Sequence, residues 1–172
     1  MRNSLLSLSI VCMMTVFSSF AHAGARHTRA TEVHCLTRNI YEEARGESVE
    51  AQIYVGLITR ARVNDPRWPD TYCGVVFEKK QFSWTIKKLY ELDQTPIDTV
   101  AWAIASYIAQ GVYDGRYRLT GDMRCARWYK RTDRKGVSEK SQRFFGTRLF
   151  PIRPFDSHTA YGLKACVVEA RL

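Results

Sequence analysis

Residues 48–63, SVEAQIYVGLITRARV, constrain the fold more than any other stretch. Wound at about 100° per residue, they place Ala51, Tyr54, Val55, Ile58 and Ala61 on one stripe, with Ile53 and Leu57 beside it. A helix apolar over most of its circumference has to be enclosed by other elements. Asn64-Asp65-Pro66 ends it. A preceding helix over residues 32–45 supplies one wall: Val33, Leu36, Ile40 and Ala44 share a face, and Gly46 is the stop. Asp70 is placed to cap a short helix reaching Val76. Thr95-Pro96-Ile97-Asp98 opens another helix, with threonine as cap, proline in the first turn and an acid three residues after the cap. That helix is expected to run to about Gln110, with Gly111 as its stop. Beyond Gly111 arginine and tyrosine alternate and glycines punctuate, which predicts short strands or irregular loops. No internal repeat or low-complexity linker interrupts the chain. The expectation is a mainly α (α+β) single domain with a few short strands toward the C-terminus.

The first residues stand apart. A basic start, an apolar run over residues 5–20 and the small-x-small ending Ala21-His22-Ala23 have the layout of a secretory signal peptide cut after Ala23. An uncleaved N-terminal membrane anchor is the alternative. Residues 24–31 are expected to be a flexible mature N-terminus, and residues 32–172 one domain. Export agrees with the cysteines. Cys12 falls in the signal segment, and Cys35, Cys73, Cys125 and Cys166 remain as disulfide candidates with three pairings open. Their spacing does not fit a zinc site. No metal, nucleotide or other cofactor motif is present, and a monomer is expected.

The formal charge is +9, and removing residues 1–23, which hold one arginine and no acid, leaves +8. Such a surface prefers polyanions, and export favours the anionic cell envelope over nucleic acid. The tract over residues 113–143, with Arg127, Lys130, Arg131, Arg134 and Lys135, is expected to be a solvated basic face. A protein that disrupts membranes by charge alone would have this balance too, yet no long basic amphipathic helix stands out.

Against that background the stretch YEEARGE, residues 41–47, is unusually acidic. On the first helix Glu43 falls beside Ile40 on the inward face, whereas Glu42 and Arg45 point away, toward water. A carboxylate on an apolar face is harder to ionise, so its pKa rises. That is what a general acid working near neutral pH requires. Glu47 lies past Gly46, in a turn near the positive N-terminus of the second helix.

Four motifs now carry a resemblance. They are Glu43-Ala44-Arg45-Gly46-Glu47; the apolar helix ending Thr59-Arg60-Ala61-Arg62-Val63; Pro69-Asp70-Thr71 followed by Val75-Val76; and Gln81-Phe82-Ser83-Trp84. In this order they resemble the cell-wall hydrolase family of spore-cortex lytic enzymes. The family usually has Asn before Arg-Val, where this chain has Ala61. The later segments around Cys125-Ala126-Arg127-Trp128-Tyr129 and Ser157-His158-Thr159-Ala160-Tyr161 match more loosely. The resemblance implies a small lysozyme-like, lytic-transglycosylase-like domain that cleaves peptidoglycan glycan strands, with Glu43 as the catalytic acid. It implies a groove lined by Gln81, Phe82, Ser83, Trp84 and Tyr129. A lytic transglycosylase needs one acid/base; a hydrolytic muramidase would need a second carboxylate, for which Glu47 is the candidate. A non-catalytic cationic wall-binding protein is the third reading. His158 is expected to be structural.

Overall fold

The computed structural model describes residues 28–87, 96–132 and 139–172. The expected signal segment, Thr95, Arg134 and Lys135 lie outside the described residues. The helices are α1 (Arg29–Ala44), α2 (Val49–Val63), α3 (Tyr72–Phe77), α4 (Ser83–Lys87), α5 (Thr99–Tyr113), α6 (Glu139–Thr147) and α7 (Lys164–Glu169). A 3-10 turn, Gly121–Cys125, leads into strand β1 (Ala126–Arg131), and β2 (Leu149–Phe155) and β3 (His158–Leu163) follow α6. This is the expected mainly α domain with a small C-terminal sheet.

α2 is the centre. It packs against α1, α3, α5 and β1, and Val55, Ile58 and Ala51 have no exposed surface. Gly56 lets two helices close on it, because a Cβ there would lie 3.0 Å from Val112 and 3.1 Å from Ile40. Its ends follow the sequence signals: Ser48 Oγ accepts from Ala51 N, and Asn64 N donates to the Arg60 carbonyl.

Other boundaries depart from expectation. α1 begins at Arg29, so residues 29–31 are helical and not a flexible arm; Thr28 Oγ1 caps the helix by accepting from Thr31 N. Thr71, not Asp70, caps α3, accepting from Gly74 N at 3.0 Å. Asp98 caps α5 by accepting from Ala101 N, in place of the expected Thr95. Gly111 does not stop α5, which continues to Tyr113. Its bare Cα instead receives the Tyr117 ring, 2.3 Å from where a Cβ would stand.

The sheet is antiparallel in the order β1-β3-β2. Pro151 and Pro154 lie in the edge strand β2, where missing N–H donors are tolerated. The β1 register shifts between Ala126 and Trp128, a bulge at Arg127. Two disulfides resolve the open pairing. Cys35–Cys73 ties α1 to α3, and Cys125–Cys166 ties the 3-10 turn to α7. Each closes a loop of moderate length, 38 and 41 residues, worth about 2–4 kcal/mol apiece.

Candidate functional site

Glu43 lies in the last turn of α1, on the side that meets α2 and β1. The periodicity that buries Ile40 and Ala44 carries its carboxyl inward with them. Tyr129, from β1, donates its hydroxyl to Glu43 Oε2 at 3.4 Å. Arg62, from α2, is 4% exposed and places its guanidinium 5.4 Å from the Phe82 ring centre and 5.7 Å from that of Tyr129. The bulge in β1 turns the Arg127 carbonyl toward Arg62 Nε, which donates to it at 2.6 Å. Arg62 Nη1 is shielded from water and has no hydrogen-bond partner among the described residues.

This environment sets the proton affinity of Glu43. Burial pushes its carboxyl up to about 7, because a charged carboxylate loses hydration that its surroundings replace only in part. The positive charge of Arg62, the Tyr129 hydroxyl and the charge of Arg131 pull the other way without winning. A carboxyl raised toward neutrality holds its proton more readily than a solvated glutamate and is suited both to give a proton and to take one back.

The neighbouring acids behave otherwise. Glu42 was expected to face water, but its side chain is 7% exposed and is held by Arg38 at 3.0 Å and Arg45 at 3.2 Å. α5 packs beside these residues: Trp102 lies edge-on against Tyr41, and Arg38, one of the two arginines that hold Glu42, lies under the Trp102 ring. Glu47 sits in the α1–α2 turn as expected. Its carboxylate accepts from Ser157 N at 3.2 Å and from Ser157 Oγ, and His158 Nδ1 lies 3.9 Å away. The turn between β2 and β3 is thereby docked on the start of α2, where Asp156 also accepts from Ser48 N.

The remaining expected groove residues separate. Phe82 is buried and floors the site beneath Arg62. Gln81 donates its side-chain amide to Glu78 Oε2 at 2.8 Å, and Glu78 is one of the charges that Arg62 feels. Ser83 is exposed at the start of α4, and Trp84 packs edge-on against Phe77. His158 is buried, stacked on Phe155 and edge-on to Tyr129, so it fixes the Tyr129 ring. The basic tract is not simply solvated. Arg127 pairs with Asp65 and bonds two backbone carbonyls, and Lys130 lies over the Phe145 ring.

Sequence reasoning missed Arg62. The available signal was a permanent charge on the helix that has to be enclosed, one residue before its last, where burial would force a partner.

Comparison with known proteins follows the same lines. The pattern of the family described as Cell Wall Hydrolase matches residues 46–149. The matched span takes in Glu47, Arg62, Gln81 and Tyr129 and begins three residues after Glu43. A spore cortex-lytic enzyme of Oceanobacillus iheyensis is 36% identical over 52 residues, covering 30% of this chain and 19% of that protein. The Bacillus subtilis spore cortex-lytic enzyme is 35% identical over 52 residues, 30% of this chain and 17% of its own length. The matched stretch thus spans about a fifth of these relatives or less. Among solved structures, the catalytic domain of the Bacillus cereus SleB protein has a TM-score of 0.57 at 22% identity, covering 79% of this chain and 93% of that one. The catalytic domain of the germination-specific lytic transglycosylase SleB from Bacillus anthracis has a TM-score of 0.60 at 22% identity, covering 80% of this chain and 98% of that one. At that identity the likeness establishes the fold.

Proposed function

Since this chain belongs to the cell wall hydrolase family, we propose that it degrades peptidoglycan by cleaving the bond between N-acetylmuramic acid and N-acetylglucosamine, as a lytic transglycosylase with Glu43 as its acid and base. The observation that carries this reading is one carboxyl raised to about 7 by burial beside Arg62 and Tyr129.

The step balances without water. Glu43 gives its proton to the glycosidic oxygen as the bond from that oxygen to the muramic acid C1 breaks. Positive character develops at C1. The C6 hydroxyl of the same sugar attacks C1, forming the 1,6-anhydro ring, and its proton passes to the Glu43 carboxylate. The acid is regenerated. While ionised, Glu43 is stabilised by the Arg62 charge and the Tyr129 hydroxyl, which favour its charged form.

Hydrolysis would need a second carboxylate free to activate water or to act as nucleophile. Glu47, the candidate, has its oxygens engaged by the main chain and hydroxyl of Ser157. That engagement favours the one-carboxylate route. Gln81, Ser83 and Trp84 are read as groove residues reached by the sugar chain, flanking the buried Phe82 and the partly buried Tyr129. Residues 1–23 are read as an export signal and residues 32–172 as the catalytic domain, acting as a monomer in the periplasm or cell wall. Among the described residues no helix is long and apolar enough to cross a membrane.

The test is to incubate the protein and its Glu43→Gln variant with isolated peptidoglycan and weigh the soluble products. Anhydromuramic products, absent with the variant, are expected. Products heavier by one water would assign hydrolysis and make Glu47→Gln the next variant. Release of nothing from walls of several species would remove the enzymatic reading.

A further inference from the structure

A second feature lies on the opposite side of α2 from Arg62. Leu57, Arg60, Ala61 and Asn64 recur at helical spacing, and this stripe is turned roughly 150° from Arg62 at about 100° per residue. It forms one wall of a cavity of about 430 Å³, whose other walls carry Arg118, Arg124 and Arg127. Among the described residues four guanidinium groups line it, and no carboxylate does.

Three of the four arginines are held by hydrogen bonds, and among the described residues only Arg127 has a carboxylate beside it. Arg60 Nη1 donates to the Val112 carbonyl at 3.0 Å, and Arg124 Nε to the Gly121 carbonyl at 3.1 Å. Arg127 Nη1 donates to the carbonyls of Arg124 and Ala126. Its Nε takes Asp65, a carboxylate already bound by Arg67 at 2.6 Å. Among the described residues Arg60, Arg118 and Arg124 have no acidic partner. Like charges held together repel, so an anion entering this space gains both attraction and relief of repulsion. Guanidinium forks suit the planar carboxylate and the phosphate. The volume fits one small group and not a duplex, which would need an extended basic track.

We propose that this cavity binds a carboxylate or phosphate group of the envelope polymer, at a site separate from Glu43 and joined to it through the Arg62–Arg127 backbone bond. The idea rests on the envelope-polymer reading above, but it is tested without cleavage. In the Glu43→Gln chain, co-sedimentation with isolated sacculi is compared for R118Q/R124Q and for R148Q/K164Q. The second pair removes the same charge from exposed positions outside the cavity. The first pair should weaken binding about tenfold or more, the loss of roughly 1.4 kcal/mol, and the second less than about twofold. Equal losses, or none for the first pair, overturn the site.

Two further arms name the source. The wild-type advantage should vanish on sacculi stripped of stem peptides by an amidase if the anion is a peptide carboxylate. It should vanish on sacculi stripped of phosphate polymers by hydrofluoric acid if it is a phosphate. An advantage surviving both treatments overturns the proposal. Melting curves confirm folded variants. On the unsubstituted chain, inorganic pyrophosphate should shift the Nε–H resonances of Arg118 and Arg124 but not of Arg148. Uniform shifts, or none, count against the site even if a variant fails to fold. Failure of wild-type cleavage leaves these results readable, and the reverse holds.

Discussion

Two shielded carboxylates in this protein stand beside arginines and move in opposite directions. Asp65, just past α2, receives Arg67 Nη2 at 2.6 Å and Arg127 Nε at 3.0 Å. The Arg67 hydrogen bond is the main cause of holding its carboxyl well below the usual range. Glu43, at the end of α1, has Arg62 nearby, but that guanidinium gives its Nε to the Arg127 carbonyl and lies against two rings. Glu43 receives only a hydroxyl at 3.4 Å, and burial wins. The presence of an arginine does not decide ionisation. The direction in which its N–H groups point does.

The comparison predicts opposite behaviour on substitution. Glu43→Gln is expected to have the largest effect on activity, a loss of about 10²–10⁴ in glycan cleavage, the usual worth of a positioned acid/base. The same variant should gain stability at alkaline pH. The folded pKa of about 7 lies above the ordinary glutamate value of 4.5, so the wild type loses stability as pH rises from 4.5 through 7. That cost is on the order of 3 kcal/mol once both states are ionised. Melting at pH 5 and pH 9 reads it as a Glu43→Gln advantage present only at the higher pH.

Asp65→Asn should do the reverse. A depressed folded pKa contributes stability above the unfolded value of about 3.8, and that stability is lost as pH falls through the folded pKa. Urea unfolding at pH 7 should show a loss of about 1–3 kcal/mol, the worth of hydrogen bonds to a charged group. The difference from wild type should shrink at pH 3 and below.

Smaller effects follow at Arg62 and Tyr129. Both favour ionised Glu43, Arg62 more than Tyr129. Arg62→Gln should therefore move the alkaline limb of the kcat/KM profile to higher pH, and Tyr129→Phe should move it the same way by less. If the order reversed, the hydroxyl and not the arginine would be the stronger control on Glu43.

The sequence carried the inward position of Glu43 because a period of 3.6 needs only the apolar residues around it, Leu36, Ile40 and Ala44. It failed for Glu42, although Arg38 and Arg45 stand four and three residues away. What was missing was tertiary packing: Trp102 on α5, more than sixty residues along the chain, lies against Tyr41 and over Arg38, which holds Glu42. Cap positions slipped for a similar reason. Asp70 and Thr71 are both competent caps, and local chemistry does not rank them. The sheet was legible only as non-helical sequence. β1 shows no clean alternation, and it is bulged where Arg127 serves Arg62. Tyr129 entered through family resemblance, and nothing local to residues 126–131 points its hydroxyl at α1.

The central claim is that burial keeps Glu43 protonated near neutral pH. Carbon-13 NMR titration of the Glu43 side-chain carboxyl, assigned by its loss in Glu43→Gln, tests it most directly. A midpoint near 7 is the predicted result. A midpoint near 4.5, the value of a solvated glutamate, would mean an ionised carboxylate at working pH and would contradict the account.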